Sequence, residues 1–396
     1  MPEWKKRRNI ARTSDSRAKS KLNYPLLYLT IAFCVFGSMM VYSASAVRAY
    51  EKGVSPFHYF GLQLLWFLLA AIAGYAAYKI PLKLLPKASI AVMVVTIALL
   101  ALVLVIGKDL NGARRWIDLG PFDLQPSEIA KLAFVIYLSA WLAKARPHIK
   151  DFQEMVKHHL QYDLLPFVML MVIVCSLIIL QPDLDTAVII AITSLTVYFV
   201  SGKDNLHTIG SLFIVLASGV VGIFAALRAQ YRLDRVNTYL EFLRTGKVQD
   251  IWDTGSQVWN TLIAIGSGGL WGLGFTNSRQ KFSYLQDAAF TDSIFSIIGE
   301  EFGLVGSVLV ILGFLFFMSF GIDIARKATD KFQALLAVGV TTWITLQAFL
   351  NIGANLAIIP FGGIPLPFLS YGGSNTIMIM IGVGLLLNIS RQSKTN

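Results

Sequence analysis

Charge is scarce in this chain. Asp, Glu, Lys and Arg make up only 14% of its 396 residues, while 55% are hydrophobic, and the mean hydropathy is +0.62. A soluble chain needs far more charge to cover its surface, so a water-soluble fold is excluded. Cysteine is nearly missing as well. Cys34 and Cys175 both fall inside apolar runs, with no CxxC and no Cys/His cluster, so neither a disulfide framework nor a thiolate metal site is indicated. No internal period of about 20–50 residues and no low-complexity tract is visible, which removes repeat arrays.

Long apolar runs are what the chain does have. A helix rising about 1.5 Å per residue needs roughly 20 apolar residues to cross the hydrocarbon core. About ten segments offer that length, near 24–46, 58–79, 85–107, 126–143, 165–181, 186–202, 206–227, 293–322, 333–358 and 374–390. The expected fold is therefore an all-α polytopic membrane protein. The first run is retained rather than cleaved, because Met39, Met40, Val41 and Tyr42 lead into Ser43-Ala44-Ser45 without an exit to a soluble domain.

Lys and Arg set the orientation, since basic residues of short loops stay on the cytoplasmic side. The tail over 1–22 holds Lys5, Lys6, Arg7, Arg8, Arg12, Arg17, Lys19 and Lys21, and basic residues recur at Lys144, Arg146, Lys150, Lys157, Arg326, Lys327 and Lys331. That pattern predicts a basic cytoplasmic tail, one membrane domain over 23–390, a short tail over 391–396, and both termini inside. The net charge of +11 is spread over these segments, so anionic membrane lipid explains it and nucleic acid is not an expected partner.

One long polar segment, 228–291, lies between the seventh and eighth runs and is expected outside. Leu233, Val236, Leu240 and Leu243 recur there at helical spacing among Arg232, Asp234, Arg235, Asn237, Glu241 and Arg244, predicting a short amphipathic helix. Thr261 to Gly266 is apolar but too short to span, which predicts a re-entrant or interfacial piece.

Polar residues at membrane depth need a partner or a use. Five separated groups fall toward the outer face: Tyr42–Ser45, Asn111–Gly120, Gln181–Asp185, Asp287–Asp292 and Gly362–Ser374. Glu128 and Lys131, three apart on one helical face, read either as a structural ion pair or as part of a site where Lys131 and Arg115 face an anionic ligand. Arginine suits a diphosphate because it is planar, always charged and bidentate. Asp292 reads either as an N-cap or as a carboxylate acting as general base or divalent-cation ligand at the mouth of the bundle. Glu300 and Glu301 lie roughly 12–14 Å further along a helix and are expected to pair with a cation such as Lys131, a proton or ion path being the alternative. Prolines and glycines over Pro360–Ser374 rule out continuous helix and predict the lining of a cleft.

These residues resemble the SEDS family (shape, elongation, division and sporulation; its FtsW, RodA and SpoVE members). The resemblance is carried by Tyr42-Ser43-Ala44-Ser45, Gly112-Ala113-Arg114-Arg115-Trp116-Ile117, Gln125-Pro126-Ser127-Glu128-Ile129-Ala130-Lys131, Gln181-Pro182-Asp183, Thr291-Asp292 with Ile298-Gly299-Glu300-Glu301, and Ile364-Pro365-Leu366-Pro367-Phe368 with Ser370-Tyr371-Gly372-Gly373-Ser374. It implies a ten-span peptidoglycan glycosyltransferase of the bacterial cytoplasmic membrane that polymerises lipid II at the outer face, releases undecaprenyl diphosphate and works with a class B penicillin-binding transpeptidase. A lipid II flippase and a non-enzymatic scaffold are the competing readings.

The resemblance further implies that Asp292 is the catalytic acid, directly or through Mg²⁺ or Mn²⁺, and that Arg115 and Lys131 belong to a polar cavity. Glu128, Trp116, Gln181, Asp183, Ser370 and Ser374 complete the expected substrate-binding set. The long basic tail leans toward the FtsW type. Asp185 stands where the family often has glycine, Gly362-Gly363 where Thr-Gly is common, and Gln286–Phe290 is one residue longer than usual and lacks a frequent histidine.

Overall fold

The apolar runs become helices, and polar residues at their starts supply the first hydrogen bonds. A computed structural model describes residues 22–110, 113–120, 122–144, 151–202, 237, 239–241, 244–245, 255–282, 284–360 and 362–393. Helix α1 (Tyr24–Glu51) opens on Asn23, whose Oδ1 accepts from Leu26 N at 3.0 Å. Helices α2 (His58–Lys79), α3 (Leu85–Ile106), α4 (Pro126–Leu142) and α5 (Leu165–Ile179) follow. Asp183 caps α6 (Leu184–Ser201) through Thr186 N. After α7 (Ser256–Gly268) and α8 (Ile294–Arg326), Asp330 caps α9 (Lys331–Asn355) through Gln333 N at 2.9 Å, and α10 (Gly373–Gln392) ends the described chain.

Among the described residues, eight helical segments are long and apolar enough to cross a membrane. Helix α4 has 17 residues, roughly 25 Å at helical rise, and carries the buried Glu128 and Lys131. The run expected near 206–227, most of the amphipathic stretch 232–244 and residues 1–21 of the tail lie outside the described residues.

Two apolar cores hold the bundle. The larger joins α1, α8, α9 and α10, with Phe33 stacked on Phe314 at 4.7 Å and on Phe368 at 5.8 Å. A second joins α3, α4, α5 and α6, where Phe167 meets Tyr198 at 4.5 Å. The two ends of the bundle differ. At one, Asn23 N donates to Ser390 Oγ, so both ends of the described chain meet there. The loops after α1, α3, α5 and α9 gather at the other, called here the site end.

Where a loop over 111–120 is expected, β1 (Lys108–Leu110), β2 (Ala113–Asp118) and β3 (Asp123–Leu124) form a three-stranded antiparallel sheet. Lys108 fixes it, bonding Asp118 at 3.0 Å and Asp123 at 2.8 Å across the strands. The helical fold thus carries a small β element, which alternation over six residues between two helices signalled too weakly. It stands Arg115 and Trp116 over the bundle.

Of the long polar segment over 228–291, the residues described from Gly255 on form a helix, turns and a 3-10 turn against α8. Thr261 to Gly266 is part of α7, which packs along the first turns of α8. Helix α8 breaks at Gly303 (φ 65°, ψ −160°), and residues 269–274 fill the break. Leu273 N and Gly274 N donate to the carbonyls of Glu300 and Glu301, while Gly269 and Leu270 carbonyls accept from Leu304 N and Val305 N. Only glycine adopts that backbone cheaply, and a Cβ on Gly303 would lie 2.5 Å from Gly272 N. Gly303→Ala is therefore expected to destabilise the protein by about 1–3 kcal/mol, read as a lowered unfolding midpoint in detergent.

Candidate functional site

Asp292 precedes α8 on a backbone clamped at three successive carbonyls. Phe290 O accepts from Tyr371 N at 2.8 Å, Thr291 O accepts from Ser370 Oγ, and Asp292 O accepts from Asn351 Nδ2 at 2.7 Å and Asn355 Nδ2 at 2.9 Å. The carboxylate accepts from Thr291 Oγ1 at 3.1 Å and Gln257 Nε2 at 3.4 Å. The N-cap position of α8 falls to Ser293, which makes no side-chain cap, so the capping reading of Asp292 is set aside. What remains is a half-buried carboxylate that accepts from Thr291 and from Gln257 of α7, on a backbone that α9 holds.

Asp292 lines a cavity of about 490 Å³ at the site end, together with Arg115, Trp116, Glu128, Lys131, Asp183 and Ser374. Its size falls in the range of small-molecule sites, about 300–1,000 Å³. The β sheet, the start of α4, the α5–α6 turn and the irregular 363–375 segment each contribute a wall. The proline- and glycine-rich segment therefore lines a cleft, as its composition predicts.

A buried polar network forms the floor. Lys131 Nζ donates to Glu128 Oε1 and to Gln347 Oε1, both at 2.8 Å, and lies 5.6 Å from the Trp343 ring. Gln347 Nε2 donates to Pro365 O and Asn375 Oδ1, both at 2.9 Å. Glu128 and Lys131 thus form an ion pair that also lines the cavity. Arg115 differs: its Nε donates to Gln181 O at 3.0 Å and its Nη2 to Pro182 O. Carbonyls orient a guanidinium without cancelling its charge. Among the described residues Arg115 has no carboxylate within 4.0 Å, so it is the cation with undiminished charge on this lining.

Two expected contacts belong to the scaffold instead. Gln181 is fully buried and donates to Leu100 O at 3.1 Å, while its own carbonyl holds Arg115. Ser370 is buried, accepting from Leu366 N at 2.7 Å while it clamps Thr291. Neither lines the cavity. Asp183 and Ser374 do, but also serve structure: Asp183 accepts from Ser127 and Gln125, and Ser374 donates to Asp123 O at 3.1 Å.

The expected pairing with a cation holds for Glu301, but the cation is Lys281 rather than Lys131. Glu300 accepts from Ser278 Oγ at 2.5 Å and from the backbone N–H groups of Arg279 and Gln280. Glu301 pairs with Lys281 at 3.3 Å and accepts from Ser43 Oγ at 2.6 Å. These carboxylates fasten the 269–281 segment to α1 and α8, and Ser43 joins them rather than the cavity. Asp185 and Gly362, which carry two of the three departures from the family pattern, meet each other: a Cβ on Gly362 would lie 2.6 Å from Asp185 Oδ1. A threonine at 362 would collide there, so each substitution suits the other.

Asp287 also leaves the cavity. It bonds Arg48 Nε at 2.9 Å and Lys52 Nζ at 3.2 Å, tying α1 to the turn before Asp292. Burial raises its carboxyl, but the bonds from Arg48 and Lys52 outweigh that and hold it below the usual range. A depressed acid contributes stability above its unfolded value, about 3.9, and loses it as pH falls through the folded one. Half-exposed ion pairs are weak, so Asp287→Asn is expected to cost under about 1 kcal/mol. The gap from wild type should stay level above about pH 5 and close only in stronger acid, as thermal melts across pH will read.

Sequence reasoning missed Gln347, Asn351 and Asn355. Their signal was present: three amides spaced four apart put one polar stripe on the apolar helix α9. Among the described residues no cluster of three or more His, Cys, Asp or Glu could cage a metal ion. The lining nonetheless holds Asp123, Glu128, Asp183 and Asp292 against Arg115 and Lys131.

Comparison with known proteins matches residues 24–395 to the FtsW/RodA/SpoVE family of cell cycle proteins. Stage V sporulation protein E of Bacillus subtilis is 37% identical over 371 residues, covering 93% of this chain and 97% of that protein. The probable peptidoglycan glycosyltransferase FtsW of Coxiella burnetii is 34% identical over 374 residues, covering 93% and 96%. Among solved structures, a chain of a peptidoglycan synthase complex that coordinates polymerization and crosslinking superposes with a TM-score of 0.73 at 26% identity, covering 94% of this chain and 98% of that one. The rod shape determining protein RodA of Thermus thermophilus shares the fold, with a TM-score of 0.66 at 24% identity, covering 96% and 100%.

Proposed function

Because this chain belongs to the FtsW/RodA/SpoVE family, we propose that its site-end cavity is the active site of a peptidoglycan glycosyltransferase that polymerises lipid II. The observation that carries this reading is Asp292, a carboxylate fixed at the wall of a cavity beside an uncancelled guanidinium. Asp292 takes the proton from the 4-hydroxyl of a GlcNAc as that oxygen attacks the anomeric carbon of a second lipid-linked chain. The bond from that carbon to the diphosphate breaks, and undecaprenyl diphosphate leaves with its electron pair. Arg115 offsets charge growing on the diphosphate, with the Lys131–Glu128 pair below it. Mg²⁺ or Mn²⁺ bound to the diphosphate would find in Asp292 a protein carboxylate and would supply further charge neutralisation.

The site end faces outward in this reading. Support comes from the basic residues of the opposite end, including Arg326, Lys327, Lys331 and Arg391, which the positive-inside rule keeps in the cytoplasm. Both termini are then cytoplasmic in a bacterial inner membrane, and a class B penicillin-binding transpeptidase is the partner at the outer face. The likeness to a chain of a peptidoglycan synthase complex favours that partner. The test is reconstitution with lipid II in proteoliposomes: glycan strands are the expected product, and lipid II translocation without polymer would overturn the reading in favour of a flippase.

A further inference from the structure

A second cavity, of about 540 Å³, lies where α1, α2 and α10 meet toward the end that carries the termini, and it shares no lining residue with the first. Ile31, Val35, Phe67, Tyr75, Tyr78 and Met380 line it, and the wall is almost wholly apolar. Helices α2 and α10 approach backbone to backbone at its rear: a Cβ on Gly384 would lie 2.1 Å from Gly74 O, and one on Gly74 2.7 Å from Met380 O. Glycine at both positions therefore sets how closely the helices close on the cavity.

Two cations rest on its aromatic lining. Lys79 Nζ lies 5.2 Å from the Tyr75 ring and 5.5 Å from the Tyr78 ring, and Arg391 Cζ lies 4.8 Å from the Tyr78 ring. Among the described residues neither has a carboxylate within ion-pair distance. Like charges gathered on one ring without a counter-charge repel each other, and an anion between them removes that repulsion. An aromatic face leaves the N–H groups of both cations available, and Arg391 can bond a phosphate bidentately. The anion's carrier is set by the apolar cavity alongside, which suits an acyl chain.

We propose that this cavity holds an acyl chain of an anionic phospholipid whose phosphate sits between Lys79 and Arg391. The site is separate from the reaction cavity, and its orientation to the cytoplasmic leaflet rests on the topology proposed above. It fastens the last turns of α2 and α10, the pair that also joins through Asn388 Nδ2 to Ala77 O and Ile80 O. Bound lipid would thus brace one end of the bundle.

Native mass spectra of the delipidated full chain, titrated with dioleoyl phosphatidylglycerol or dioleoyl phosphatidylcholine, test the site. Wild type is expected to keep one phosphatidylglycerol in preference to phosphatidylcholine. Lys79→Gln with Arg391→Gln should weaken phosphatidylglycerol about 25-fold, at about fivefold per basic residue, and leave phosphatidylcholine unchanged. Lys79 is exposed, so Lys79→Gln alone folds and should show the fivefold step. Ala71→Phe, which fills the cavity, should weaken both lipids. Equal binding of the two lipids by wild type, unchanged phosphatidylglycerol affinity in the Gln variants, competition by free glycerol phosphate as strong as by the lipid, or a lipid-independent dimer would each overturn the proposal.

Discussion

Replacing Asp292 with asparagine is expected to lower glycan-strand synthesis from lipid II by about 10²- to 10⁴-fold, the range lost when a positioned general base is removed. Asparagine keeps nearly the same shape: its Oδ1 can accept from Thr291 Oγ1, and its Nδ2, in place of the oxygen that meets Gln257 Nε2, can donate to a flipped Gln257 amide. The clamp on Asp292 uses its main-chain oxygen, which the substitution leaves in place. Folding should therefore be unchanged, and the loss should fall on kcat. Asn351→Ala gives the contrasting case. It removes a donor to both Asp292 O and Ile364 O, so it should reduce activity and stability together. Polymer assays beside melts of the same preparations separate the two, and an active Asp292→Asn enzyme would end the general-base role.

That contrast marks what the sequence made legible. The membrane helices followed from length and hydropathy, because lipid forces every backbone group to bond within its own segment. Asp292, Arg115 and Lys131 stood out because charge beside an apolar helix is costly, whereas Trp116 came only with the family resemblance. Roles among polar neighbours were not legible. Gln181 and Ser370 lie in the same motifs as the cavity residues, yet their side chains turn into the protein, to Leu100 O and Thr291 O, and it is the main-chain carbonyl of Gln181 that holds Arg115. Spacing along a chain does not say which way a loop side chain faces. The partners of Glu300 and Glu301 were hidden for a related reason: Lys281 and Ser278 reach them only because residues 269–274 enter the break at Gly303. A helix interruption of that kind is set by tertiary fit, and the sequence around Gly303 reads as ordinary apolar helix.

The Glu128–Lys131 pair yields the prediction that divides structure from catalysis most sharply. Both side chains are about 2–3% exposed and 2.8 Å apart. Lys131→Met leaves a buried carboxylate without its cation, which costs about 3–5 kcal/mol, so this variant should be poorly folded or inactive for reasons of stability alone. Adding Glu128→Gln removes the stranded charge, and replacing both members of a buried pair is often close to neutral. The double variant is therefore expected to recover most of the lost stability. Its activity should stay at least about tenfold below wild type, since one such factor corresponds to a single lost charge-assisted bond. The reason lies in what the pair leaves unused. Lys131 spends two of its three N–H donors on Glu128 and Gln347, and Glu128 Oε2 is buried without a hydrogen-bond partner among the described residues. Both residues line the cavity. A pair kept only to join helices would have those groups satisfied within the protein, and the double variant would then return to full rate. Stability and polymerisation measured on the two single variants and the double variant, as one cycle, decide between these outcomes.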